Sequence, residues 1–170
     1  MTSEAQLWST VKRHLSPHGQ FVRIESPLTE RGIPDVAYCV RGVTGWLELK
    51  ELDTWPKRTT TPLRVGHLTL EQMLFLEEWE RNLGSAYGLL QVERDYLLLS
   101  VAQVRRVHER LATRAELITE ALAFGTGKFP ALEVIAALTG APGRTTGAVA
   151  ARERALARPR VERAKGDWTP

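Results

Sequence analysis

Apolar side chains spaced three and four residues apart mark helices in this chain, and shorter runs rich in β-branched and aromatic residues mark strands between them. Leu7, Trp8, Val11 and Leu15 fall on one helical stripe, and Ser3 with Gln6 fits a capping box. A helix is therefore predicted over 3–15, stopped by Ser16-Pro17-His18-Gly19. Strands are predicted over 20–26, 33–41 and 44–52, with Pro34 at a strand start, where a missing N–H is tolerated. The hairpin between the last two is read either as Gly42-Val43 or as Gly42 to Gly45. Thr69 opens a helix to about Asn82, with Leu70, Met73, Leu74, Leu76 and Trp79 as its expected buried side. Two further strands are predicted over 86–92 and 96–100, joined by Glu93-Arg94-Asp95. Everything after 101 reads as helical, near 101–111, 114–124, 130–139 and 145–158, with breaks at Gly125-Thr126-Gly127 and Gly140-Ala141-Pro142-Gly143.

This order of elements predicts an α/β (α+β) fold in which helices flank a mixed sheet, followed by a helical appendage. The expected division is a core over 1–110 and a basic helical appendage over 111–170. Residues 53–67 interrupt the core without periodicity. They hold Pro56, Pro62, four threonines, Lys57, Arg58, Arg64 and His67, with Trp55 near the start. Loops of this length in compact domains often carry function.

At 170 residues, 43% apolar and 25% charged, the chain has ordinary globular composition, which excludes collagen-like, coiled-coil and broadly disordered classes. Its longest apolar runs fall far short of the ~20 residues that span a bilayer. The first residues lack the basic and apolar regions of a secretory signal. Cys39, the single cysteine, allows no internal disulfide, and a cytoplasmic setting without membrane partners is the expectation. Charge is uneven: residues 1–140 hold 16 Lys/Arg against 17 Asp/Glu, and residues 141–170 hold 7 against 3. Such a basic tail suits either an electrostatic arm toward nucleic acid or a solvated helix. Gly125-Thr126-Gly127-Lys128 lacks the leading glycine and trailing hydroxyl residue of a phosphate-binding P-loop.

The candidate chemistry lies in Gly32-Ile33-Pro34-Asp35-Val36 and Trp46-Leu47-Glu48-Leu49-Lys50. Alternate residues of a strand share a face, so Glu48 and Lys50 point the same way about 7 Å apart. An even hairpin loop brings Asp35 to that face, and an odd one takes it away. Two carboxylates beside an ammonium make a site for a hard divalent cation such as Mg²⁺ or Mn²⁺, with Asp35, Glu48 and the Leu49 carbonyl as ligands. The competing explanation of Glu48-Leu49-Lys50 is a cross-strand ion pair.

Pro34-Asp35 followed after a short hairpin by Glu48-Leu49-Lys50 resembles the PD-(D/E)XK nuclease superfamily, in particular its VRR-NUC and archaeal-type Holliday junction resolvase-like members. The surrounding order strengthens the resemblance: Glu4 on an N-terminal helix, Arg23 and Ser26 flanking the end of the first strand, and Leu68-Thr69-Leu70-Glu71-Gln72 at the start of the next helix. It covers roughly residues 4–100. It implies a restriction-endonuclease-like α-β-β-β-α-β core and divalent-metal hydrolysis of phosphodiester bonds. It further implies that Asp35 and Glu48 act as metal ligands, Lys50 as the catalytic lysine, Gln72 as an active-site glutamine and Glu4 as an acidic residue near the metal. Gln72 is equally explained as part of a capping box, and Glu4 as a carboxylate favoured by the helix dipole. The 53–67 insertion is longer than in minimal members, and residues after about 105 have no counterpart.

The expected function is a Mg²⁺-dependent DNA endonuclease acting as a homodimer, with branched or junction DNA as the favoured substrate. The alternatives are a DNA-binding or structural protein that keeps the fold without turnover, and a restriction-type enzyme that reads sequence. Expected DNA contacts are Arg23, Ser26, Lys57, Arg58, Arg64 and His67. Arg144 and Arg152 join them on a helix-turn-helix-like pair formed by 131–138 and 145–157.

Overall fold

The computed structural model describes residues 3–24, 32–140, 152 and 155–157. The elements are α1 (Glu4–Leu15), β1 (Gln20–Arg23), β2 (Val36–Val40), β3 (Val43–Leu52), α2 (Leu70–Arg81), β4 (Ser85–Val92), β5 (Asp95–Ser100), α3 (Val101–His108), α4 (Arg114–Glu120), β6 (Ala123–Thr126) and α5 (Ala131–Leu138). The first six follow the α-β-β-β-α-β order that the resemblance implies. The six strands form one sheet in sequence order, with β3 and β4 parallel and every other neighbouring pair antiparallel. The sheet is therefore mixed, and α2 is the crossover that a parallel pair requires.

Two cores sandwich the sheet. Met73 and Leu76 of α2, the three valines of α3 (101, 104 and 107) and Leu117 and Ile118 of α4 pack on one face. Leu7, Val11 and Leu15 of α1, with Val134, Ile135 and Leu138 of α5, pack on the other. Toward the α1 side, β3 buries Leu47 and Leu49. Its other face places Trp46, Glu48 and Lys50 in a row beneath α2, because side chains alternate along a strand.

The β2–β3 hairpin turns through Arg41 and Gly42, since Val40 pairs with Val43. Both turn residues have positive φ, 49° and 80°, as a two-residue turn matched to the right-handed strand twist requires. Neither predicted loop is thus the observed one. The loop is nonetheless even, and Val36 pairs with Leu47, so Asp35, one residue before β2, falls level with Glu48. Gly32 has a φ of 93°, and a β-carbon there would lie 2.6 Å from the backbone of Glu71. Only glycine lets the chain leading to Asp35 pass so close to the first turn of α2.

Several predicted elements are corrected. Residues 123–126 form a strand, where a helix over 114–124 and a break were expected, so the chain after 101 is not wholly helical. The reason is tertiary. Ala123 to Thr126 pair with Leu98 to Asp95, and burial of Ala123 and Phe124 on opposite faces outweighs a weak local preference. Residues on both sides of position 110 consequently share the same two cores. On α2, Met73 and Leu76 are buried, but Leu70, Leu74 and Trp79 are 54%, 51% and 39% exposed. The five predicted residues span more than half the helix circumference, and only the middle of that arc meets the sheet. The β4–β5 turn is the two residues Glu93-Arg94, with Val92 paired to Asp95. The first strand is described to Arg23, and most of the predicted 145–158 helix lies outside the described residues.

The 53–67 insertion has no regular structure, as expected, but it is not a solvated loop. Trp55, Leu63, Val65 and Leu68 are buried in the core beneath α2 and α3. The Trp55 indole donates to Asp95 at 2.9 Å, the Arg114 guanidinium lies 5.5 Å from the centre of its ring, and Leu63 N–H donates to Ala112 at 2.8 Å. The chain from β3 to α2 is thereby tied to β5 and to the start of α4.

Candidate active site

The charged row of β3 is the least ordinary feature of the core. Glu48 is 1% exposed and Lys50 is 7% exposed, and burying such groups is costly without partners. Part of the compensation is mutual: Lys50 Nζ lies 2.6 Å from Glu48 Oε1. The same ammonium is 3.5 Å from Glu4 Oε1 and 4.0 Å from Asp35 Oδ2. Three carboxylates thus surround one ammonium, a cluster that is net negative when fully ionised.

Glu48 and Lys50 come from β3, and the other two carboxylates are delivered by separate parts of the chain. Asp35 sits just before β2, where its carbonyl accepts the Ile24 N–H at 2.8 Å and its carboxylate accepts the Leu49 N–H at 2.8 Å. Beyond the end of β2, this carboxylate replaces the missing strand partner of Leu49. The N–H and C=O of a strand residue project to the same side, so the Leu49 carbonyl faces that gap too. Glu4 is the first residue of α1, with Ser3 as N-cap accepting the Gln6 N–H. Its two readings are compatible: the first-turn position suits the helix dipole, and the side chain reaches Lys50.

Gln72 also serves twice. Its Oε1 accepts the Thr69 N–H at 3.0 Å and its backbone N–H donates to Thr69 Oγ1 at 3.2 Å, closing the capping box. Since the amide oxygen is used there, Nε2 is the group left for Glu48, and it donates to Glu48 Oε1. Glu48 Oε1 thereby receives both Gln72 and Lys50, while the buried Oε2 has no hydrogen-bond partner.

Electrostatics follow from this placement. Burial, with the charge of Asp35 added, pushes the Glu48 carboxyl up to about 8, against the opposing pull of Lys50. Burial works against the Lys50 ammonium, but Glu48, Asp35 and Glu4 outweigh it and the net shift is upward, so the group stays protonated. Strongly perturbed groups gathered in a cleft are a signature of functional sites.

The cluster opens into a wide cleft of about 700 Å³ lined by Ser3, Glu4, Ala5, Asp35, Lys50, Glu51, His67 and Gln72. A narrow apolar cavity lies behind it, lined in part by Glu48, Lys50, Val65, Leu68 and Val104. The C-terminal end of the insertion is therefore a wall of the cleft. Among the described residues, no three His, Cys, Asp or Glu side chains have the spacing of a closed metal cage. The donor set nonetheless fits a hard cation that keeps most of its waters: oxygen ligands only, excess negative charge and an unpartnered buried carboxylate oxygen.

The remaining expected contacts divide. Lys57, Arg58 and Arg64 are exposed on the insertion, and Arg23 is half-buried at the end of β1. His67 is exposed at the cleft, with Nε2 3.2 Å from Glu4 Oε1. Ser26 and Arg144 lie outside the described residues. Arg152 is a correction: it is buried, and its guanidinium donates to the carbonyls of Thr119, at 3.2 Å, and of Ala121. Those are orphan acceptors at the C-terminal end of α4, so this arginine stabilises a helix end instead of facing DNA. The contact between His67 and Glu4, from positions far apart in the chain, had no local signal. The anchoring of the insertion did have one, in the apolar residues Trp55, Leu63 and Val65 scattered through it and Leu68 just after it.

No protein-family model matches the chain, and no curated protein matches it. Among solved structures it is similar to the Holliday junction resolvase of Archaeoglobus fulgidus, an archaeal hyperthermophile, at 18% identity and a TM-score of 0.40, over 58% of this chain and 74% of that one.

Proposed function

We propose that this chain is a divalent-metal-dependent DNA endonuclease. The observation that carries the reading is the convergence of Asp35, Glu48 and Lys50 on one sheet face, with Asp35 and Lys50 lining an open cleft and Glu48 buried behind them. Asp35, Glu48 and the Leu49 carbonyl would hold Mg²⁺ or Mn²⁺, with Glu4 beside them. When bound, the ion polarises a phosphoryl oxygen and acidifies a water. Lys50, kept protonated by its carboxylate neighbours, supplies positive charge where the attacked phosphate becomes more negative. Gln72 holds the Glu48 carboxylate in one orientation.

The exposed Lys57, Arg58 and Arg64 of the insertion, and Arg23, supply cations for phosphates outside the reacting one. The preference for branched DNA, four-way junctions included, comes from the resemblance of the ordered motif set. Self-association is part of the reading: Leu70 and Leu74, one turn apart, leave an exposed apolar pair on α2, with the exposed Glu71 and Glu78 on the same flank, which disfavours a phosphate backbone there.

The test incubates the protein with four-way junction, flapped, single-stranded and linear duplex DNA, each with Mg²⁺ or Mn²⁺. Cleavage abolished by Asp35→Ala and Lys50→Ala, with DNA binding kept, is the expected result. Binding without cleavage by the unaltered protein on all four substrates would leave the second reading, a DNA-binding protein without turnover.

A further inference from the structure

The charged cleft is bordered by one side chain that the core of the fold does not supply. His67 comes from the insertion, at the tip of a turn whose two flanks are buried. Val65 and Leu68 pack into the core on either side of Gly66-His67, Leu68 N–H donates to the Val65 carbonyl at 3.4 Å, and His108 Nδ1 of α3 lies 3.2 Å from the Leu68 carbonyl. The backbone at His67 is therefore fixed, although the side chain is exposed. Its Nε2 is 3.2 Å from Glu4 Oε1, the same oxygen that lies 3.5 Å from Lys50 Nζ.

Resting on the nuclease reading, we propose that His67 is a positioning residue: it holds the Glu4 carboxylate against Lys50 and so couples the insertion to the reacting centre. Glu4 is a long side chain on the first turn of a helix, and unrestrained it would spread over several rotamers. An imidazole N–H anchored from the opposite wall selects one of them. Lys50, which lines the cleft, is then held between Glu48 at 2.6 Å and Glu4 at 3.5 Å. An exposed histidine–carboxylate pair adds little to stability, so the value of the contact lies in geometry. The insertion accordingly has two separate parts. Its exposed Lys57, Arg58 and Arg64 face solvent, and its C-terminal turn belongs to the wall of the site.

The experiment compares unaltered protein, His67→Ala, His67→Gln, Glu4→Gln and the His67→Ala/Glu4→Gln pair in steady-state cleavage with Mg²⁺. DNA affinity is measured beside it with Ca²⁺ at two salt concentrations. His67→Ala is expected to lower kcat roughly tenfold, the scale of losing a residue that orients a reactive group, with KM and Ca²⁺-supported affinity unchanged. His67→Gln recovers most of the loss, because its amide also donates to a carboxylate. The double variant is no worse than Glu4→Gln alone. In metal-free protein, Glu4→Gln shifts the NMR signals of the His67 ring nitrogens and Glu51→Gln does not. Weaker DNA binding with a shallower salt dependence in His67→Ala would make this residue a phosphate contact and overturn the proposal. Unchanged kcat, additive losses or an unmoved ring signal would overturn it as well, with the nuclease reading intact. Full cleavage by Asp35→Ala, or none by the unaltered protein, would remove that reading and this inference together.

Discussion

Gln72 donates its side-chain amide to the buried carboxylate of Glu48 while its amide oxygen closes the capping box of α2 with Thr69. A helix start and a contact in the candidate site thus share one side chain, and substitution separates the two roles. Thr69→Ala removes the cap alone. It should cost about 1 kcal/mol in denaturant unfolding and leave the cleavage rate of the folded protein nearly unchanged. Gln72→Ala should show a similar stability loss together with a clear fall in kcat, measured on the same preparations.

Asp35→Asn preserves size and polarity next to the Leu49 N–H but removes a negative charge from the cluster. Cleavage should fall at least about 100-fold, the scale of removing one electrostatic contributor to a charged transition state, with junction-DNA affinity in Ca²⁺ retained. Lys50→Ala should act alike in rate, although it also leaves the buried Glu48 without its ammonium partner. Thermal unfolding of the two variants distinguishes them, with Lys50→Ala the less stable.

The elevated Glu48 carboxyl predicts the sign of a pH effect on metal-free protein. The folded state keeps a proton up to about 8, whereas the unfolded chain releases it near 4.5. The native state therefore binds more protons in that window, and stability falls as pH rises through it. Unfolding in EDTA at pH 5.5, 7 and 8.5 should show this decline. Glu48→Gln should reduce the slope, and added Mg²⁺ should stabilise the unaltered protein most at the alkaline end, where the carboxylate is free to bind it.

The apolar patch on α2 predicts the oligomeric state. Leu70→Asp with Leu74→Asp, both at exposed positions, should leave the fold intact and convert a dimer to a monomer in light scattering. A monomeric unaltered protein would remove self-association from the functional reading without touching the cleft.

Strand β6 and helix α5 predict the outcome of truncation. A chain ended at residue 125 loses Phe129, Val134, Ile135 and Leu138 from the α1-side core and should not fold, so it would not report on the basic tail. A chain ended at residue 157 keeps Arg152 and Ala155 in place and removes four of the tail's cations, Arg158, Arg160, Arg163 and Lys165. Its far-ultraviolet spectrum should be near native, and the salt dependence of its DNA binding measures what those cations contribute.

Much of the fold was legible because its signals are local. The stripe of Leu7, Val11 and Leu15, the cap residues Ser3 and Thr69, and the apolar strands of the hairpin each act within a few neighbours, and all are found where expected. The alternation that separates Glu48 and Lys50 from Leu47 and Leu49 is likewise a property of the backbone, so their common face follows from spacing alone. Tertiary structure decided the rest. Ala123 to Thr126 became a strand because β5 had a free edge to pair, and Arg152 turned inward because α4 ended with unsatisfied carbonyls. Leu70 and Leu74 stayed outside because only part of the α2 surface reaches the sheet. His67 met Glu4 because buried neighbours carried the insertion across the cleft. Spacing along the chain dictates which side chains share a face; the distance between two faces is set by long-range packing, which no short window of sequence contains.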